Sequence, residues 1–154
     1  MAAVFLDSSA LVKRYIQEVG TPWVSGLTAS TAGNWLYVAR ITGVEVVSAI
    51  TRKARTGGIS SVHASQALAG FRADFPGIFT VVEVTPALAS EAMRLAEAHF
   101  LRAYDAVQLA AVLGLKNERL ADGLPLPTLI SADTELNTAA QGEGLLLDDP
   151  NAHP

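Results

Sequence analysis

Five short apolar runs alternate with stretches of helical period along this chain, and that alternation limits the fold more than any other feature. The runs are residues 3–7, Trp35 to Ile41, Phe79 to Val84, Thr128 to Ser131 and Leu145 to Leu147. Each is apolar on both faces, so a strand made from it must be covered on both sides. Strand followed by helix followed by strand then gives an α/β domain. It is a mostly parallel five-stranded sheet in a three-layer α/β/α arrangement.

The intervening stretches carry start and stop signals. Ser8 or Ser9 is expected to cap a helix bearing Leu11, Val12 and Tyr15 to about Val19. Thr21-Pro22 restarts a helix with proline in its first turn. Thr42 is expected to cap a helix carrying Val46, Ala49 and Ile50, which Gly57-Gly58 ends. Ser60 or Ser61 opens a further helix to about Asp74, broken by Pro76-Gly77. Helices from Thr85-Pro86, from about Ala103 to Lys116 and from Thr134 to Gln141 complete the pattern. With 154 residues, one domain over 1–148 and a polar, flexible tail over 149–154 is the natural partition.

Four acids stand at the edges of the apolar segments: Asp7, Glu45, Asp105 and Asp133. Taken singly, Asp7 and Asp133 read first as helix caps. Glu45 shares a helical stripe with Ser48 and Arg52 and reads as an exposed, paired side chain. Asp105 is harder to dismiss. Apart from Arg102, its neighbours at helical spacing are Leu101, Gln108, Leu109 and Val112. A carboxylate in such surroundings is costly unless something pairs with it. As a set, two acids end strands of one parallel sheet, where sites form beyond the strands' carboxyl ends. The other two lie near helix starts that can flank the same crevice. Like charges gathered there resist joint ionisation unless a cation joins them. An all-oxygen cluster suits Mg²⁺ or Mn²⁺, with a phosphate ester as the usual substrate.

Composition narrows the classes further. There is no cysteine, which excludes disulfides, thiolate nucleophiles and cysteine-ligated zinc and agrees with a reducing cytoplasm. His63, His99 and His153 have no zinc-ligand spacing. The apolar opening stops at Asp7, too short for a signal peptide, and no stretch approaches a membrane span. The net charge of -4 argues against a general nucleic-acid coat. Yet Arg52, Lys53 and Arg55 follow Glu45 closely, either as a solvated face or as a basic rim that holds RNA. A phosphatase using Asp7 as nucleophile is a rival, but the haloacid type wants a second acid where Ser9 stands.

The motifs in order resemble those of PIN domains. Val4-Phe-Leu-Asp-Ser-Ser-Ala-Leu-Val-Lys-Arg-Tyr15 is similar to the opening motif. Thr42-Gly-Val-Glu-Val-Val-Ser-Ala49 is similar to the second, His99-Phe-Leu-Arg-Ala-Tyr-Asp-Ala-Val-Gln-Leu-Ala110 to the third and Leu129-Ile-Ser-Ala-Asp133 to the fourth. Size and motif style look most like the VapC ribonuclease toxins of toxin–antitoxin pairs. Ser8 where threonine is common, and a longer Thr28 to Tyr37 stretch, depart from that pattern. The resemblance implies strand order 3-2-1-4-5 and Mg²⁺- or Mn²⁺-dependent endoribonuclease activity. It implies Asp7, Glu45, Asp105 and Asp133 as the catalytic, metal-holding acids, with Ser9 and Ser131 in support. It also implies a cognate antitoxin across the groove. The alternative within the same fold is a non-toxin protein of RNA processing or an inactive binding module. Leu11, Val12, Tyr15, Ile16, Trp23, Val24 and Leu27 are more apolar surface than two short helices usually hide, so a homodimer is expected as well.

Overall fold

The computed structural model describes residues 1–154. Strand β1 (Ala3–Leu6) leads into helix α1 (Ser8–Leu11), a 3-10 turn at Val12–Arg14 and α2 (Thr21–Leu27). Next come β2 (Trp35–Ala39), α3 (Arg40–Arg55), α4 (Ser61–Ile78) and β3 (Thr80–Val82). The chain continues through α5 (Pro86–His99), α6 (Ala103–Ala121), β4 (Pro127–Ile130), α7 (Thr134–Gly142) and β5 (Leu146–Asp148). All strand pairs are parallel, in the order β3-β2-β1-β4-β5. Both the parallel sheet and its order match expectation.

Strand β1 shows why two helical layers are needed. All four of its residues are buried, and they face alternate sides. Val4 and Leu6 join a core with Leu11, Val24, Val46, Ile50 and Phe71 from α1 to α4. Phe5 joins the opposite core with Leu95, Leu109, Val112 and Leu136 from α5 to α7. The order of strands reverses between β1 and β4, so a crevice opens beyond their ends. Leu6 pairs with Ile130 there, and the Asp7 N–H continues the ladder to the Ile130 carbonyl at 3.2 Å.

Several local expectations change. Asp7, not Ser8 or Ser9, caps α1, accepting from the Ala10 N–H, and regular α-helix stops at Leu11. Helix α3 starts at Arg40 without a side-chain cap, so Thr42 lies buried inside it. Pro76 does not end α4. It sits near the last turn, and Arg72, whose carbonyl loses its donor, is exposed. Helix α6 runs on to Ala121, held by nine buried residues along its length.

The apolar residues expected to form a free surface are interior instead. Leu11, Val12, Ile16 and Val24 are buried, and Tyr15, Trp23 and Leu27 pack against the same core. The polar end of the chain covers part of this region. Pro150–Ala152 forms a 3-10 turn, and the His153 ring stacks on Trp23 at 4.1 Å. Gly20, with φ +85°, meets the Pro150 carbonyl so closely that a Cβ there would lie 2.3 Å from its oxygen. No helix is long and apolar enough to cross a membrane.

Candidate active site

The crevice past β1 and β4 is a cleft of about 410 Å³ whose walls include Asp7, Glu45, Asp105 and Asp133. The four come from four different elements. Asp7 follows β1, Glu45 projects from α3, Asp105 lies in the first turn of α6 and Asp133 caps α7. Topology thus gathers acids that are scattered over most of the sequence.

Two serines fix Asp7. Ser9 Oγ donates to its Oδ1 at 2.7 Å and accepts the Ala132 N–H at 2.9 Å. Ser131 Oγ donates to Oδ2 at 3.0 Å and accepts the Asp133 N–H at 3.1 Å. Each hydroxyl therefore ties the end of β1 to the turn after β4. Asp7 is 3% exposed. Burial raises its pKa from the ordinary 3.8 to about 7, against the pull of Ser9, Ala10 and Ser131, and the Glu45 charge pushes the same way as burial.

Glu45 is held from both sides. Its Oε1 accepts from Gln108 Nε2 at 2.7 Å and its Oε2 from the Ser8 hydroxyl at 3.1 Å. Gln108 Nε2 also donates to the Thr42 hydroxyl at 2.8 Å, so one buried amide of α6 secures both residues of α3. Burial raises the Glu45 pKa, the two donors oppose it, and the charges of Asp105 and Asp133 add to it. Asp105 is also raised, first by burial and then by Asp133, with Arg102 opposing.

Arg102 is the cation nearest two of these acids. Its Nε stands 3.4 Å from Asp105 Oδ2, and a terminal guanidinium nitrogen stands 3.4 Å from Asp133 Oδ2. The Asp105 contact is an ion pair without hydrogen-bond geometry, so this buried oxygen receives no donor. Asp133 Oδ1 accepts the Glu135 and Leu136 N–H groups at 3.0 Å each.

The donor set fits a hard divalent cation in chemistry. Every acid keeps an oxygen with spare acceptor capacity, since a carboxylate oxygen accepts about two hydrogen bonds. Asp7 Oδ2 and both Glu45 oxygens each accept one, and Asp105 Oδ2 accepts none. As they stand, no three acidic or histidine side chains converge tightly enough to hold an ion. The acids share a cleft rather than a closed ligand cage.

The expected basic rim is only partly present. Arg52 lines the cleft. It lies seven residues after Glu45 on α3, close to two turns, and so on the same face. Lys53 turns away and donates to Glu18 at 2.8 Å, an acid that also takes Lys13 at 3.1 Å. Arg55 is exposed at the end of the helix and does not line the cleft. Sequence reasoning gave Arg102, Gln108, Thr42 and Ser8 no part in the site. For Gln108 a signal existed: an amide in the otherwise apolar stretch from Ala106 to Leu115, three residues after Asp105.

No family model matches the chain, and no curated protein matches it. Solved structures do. A crystal structure of PAE2754 from Pyrobaculum aerophilum is similar at 22% identity and TM-score 0.63, over 99% of this chain and 86% of that one. A toxin–antitoxin complex from Klebsiella pneumoniae is similar at 14% identity and TM-score 0.61, over 96% and 97%. VapBC2 from Rickettsia felis, bound to a promoter DNA fragment, is similar at 11% identity and TM-score 0.60, over 96% and 98%. With its five parallel strands in the order β3-β2-β1-β4-β5 between two helical layers, this chain has the PIN-like fold.

Proposed function

We propose that this chain is a Mg²⁺- or Mn²⁺-dependent endoribonuclease, the toxin of a toxin–antitoxin pair, acting on RNA in the cytoplasm. The observation that carries the reading is the convergence of Asp7, Glu45, Asp105 and Asp133 on one cleft at the sheet's reversal point. Three of the four are held above the usual carboxylate range, which is the state a bound cation relieves. The likeness to a structure described as a toxin–antitoxin complex supports the toxin role.

A divalent cation held by these carboxylates would supply an activated water and positive charge for phosphodiester hydrolysis. Asp7 and Asp105 are proposed as direct ligands, with Glu45 and Asp133 holding the ion directly or through water. Ser9 and Ser131 fix the Asp7 carboxylate, and Gln108 and Ser8 fix Glu45, so the ligand oxygens are oriented in advance. Arg52 and Arg102 offer positive charge to RNA phosphates at the cleft wall. A covalent role for Asp7 is disfavoured, because Ser9 stands where a haloacid-type phosphatase places its second acid.

Asp105→Asn removes charge with little change of shape. It is expected to abolish cation-dependent RNA cleavage while the protein melts normally. Undiminished cleavage by this variant in Mg²⁺ or Mn²⁺ overturns the assignment, and a wild type that binds RNA but never cleaves it indicates a binding module. The partner half has its own test. An antitoxin is proposed to place a basic side chain among the four acids, so full ribonuclease activity in a purified two-protein complex sinks it. A homodimer stays in the proposal without Leu11 and its neighbours as its surface, and a strict monomer in light scattering removes it.

A further inference from the structure

Phe100 is the one non-glycine residue with positive φ, at φ 57° and ψ 35°. It closes α5, where the N–H groups of Phe100 and Leu101 both reach back to the Ala96 carbonyl. Glycine is the usual residue at such a position, since a side chain is strained there. Strain of this kind is ordinarily offset by packing, yet Phe100 is 93% exposed. Neither the backbone nor the core accounts for an aromatic ring here. An outlier that the fold does not need points to a contact outside the fold.

Its surroundings say what kind of contact. Phe100 lines a hollow of about 390 Å³ with Leu101, Thr134 and Glu135. Leu101 and Thr134 adjoin Arg102 and Asp133 in the chain, which line the acid cleft, so the two hollows are neighbours. Tyr104 is 58% exposed and lines the acid cleft itself. Arg102 lies between the two aromatics in sequence, its side chain 75% exposed. Exposed aromatics beside an exposed cation at a cleft suit a nucleic-acid single strand. Bases stack on rings while a cation meets the backbone.

We propose that Phe100 and Tyr104 are stacking platforms for unpaired bases on either side of the phosphate that enters the acid cleft. The proposal rests on the ribonuclease reading. Base stacking on an exposed ring tolerates many sequences, because every base has a π face. A duplex keeps its bases stacked on one another and cannot use the rings.

The test is Phe100→Gly, which separates fold from function. Relief of the left-handed strain is expected to raise Tm by about 2–4 °C. The affinity for a fluorescent uridine-rich single strand is expected to fall roughly 10-fold, with the same strand in a duplex unaffected. Binding is read by anisotropy on the Asp105→Asn background, so that the RNA stays intact. Tyr104→Leu is expected to lose affinity similarly, and Phe100→Trp to keep it. A 2-aminopurine base in the strand is expected to be quenched by the wild-type ring and not by Phe100→Gly. Unchanged single-strand affinity in Phe100→Gly, an equal loss for the duplex, or a fall in Tm each overturns the proposal. A variant that keeps its RNA affinity but loses a protein partner shows the ring to be a protein contact, which also overturns it. In those cases cation-dependent cleavage lost in Asp105→Asn leaves the ribonuclease reading standing. A folded wild type that neither binds nor cleaves RNA overturns both.

Discussion

Asp7 concentrates the energetic cost of the site in one residue. Its carboxyl receives the Ser9, Ala10 and Ser131 donors, and burial still outweighs them and pushes its pKa to about 7. The folded chain therefore keeps a proton that the unfolded chain loses near 3.8. Between those two values the folded state binds more protons, so stability falls as pH rises through the window. Glu45 and Asp105, both raised by burial, act in the same direction. In chelator, Tm is expected to be lower at about pH 8 than at about pH 5, and Asp7→Asn should flatten the profile. Mn²⁺ in hundredfold excess over its dissociation constant is expected to restore about 2.7 kcal/mol at the alkaline end. Calorimetry across that range checks both halves, and a wild type that is more stable at the alkaline end without metal contradicts the account.

At the scale of elements, the site depends on how α3 and α6 are locked together. Gln108 of α6 donates to Thr42 and Glu45 of α3, the latter 63 residues away in sequence. Gln108→Met keeps the shape and removes both donors. It is expected to cost about 1–3 kcal/mol, read from urea unfolding, because the buried Thr42 hydroxyl and a half-buried Glu45 oxygen lose their donor. A loss no larger than that of an exposed glutamine elsewhere would show that the clamp carries no stability. The same amide marks what a sequence can tell. Its oddity in an apolar stretch is visible, but its partners are not, since periodicity reports which face is covered and not what covers it. The alternation of strand and helix was legible for a related reason: doubly buried strands have few other solutions. The strand order came from the motif resemblance, whereas the grouping of the four acids followed from their places at strand ends and helix starts. The boundaries at Arg40 and Pro76 were misread because a capping residue and a helix breaker were each judged locally. Thr42 had a tertiary partner, and Pro76 stood where a lost N–H costs little.

For the whole molecule, the question is how a chain of net charge -4, with four acids in its cleft, receives a polyanion. Long-range attraction does not serve, because the overall field is repulsive. What remains is local charge at the cleft wall, from Arg52 and from Arg102 once a bound cation takes over its partners Asp105 and Asp133. Two phosphate contacts on a single strand correspond to a slope of about -1.4 in log affinity against log salt. Arg52→Gln is expected to flatten that slope by about 0.7 and to weaken binding across sequences alike, since phosphate contacts carry no base information. Lys53→Gln is expected to behave differently. Its ammonium is paired with Glu18, which Lys13 also binds, so the variant should lose stability and leave the slope alone. Arg55→Gln should change neither, because nothing places that side chain on the cleft. Anisotropy titrations of one RNA over a salt series, run beside thermal melts, separate the three variants. Equal flattening by all three would restore the wider rim of Arg52, Lys53 and Arg55 and contradict the two-arginine entrance.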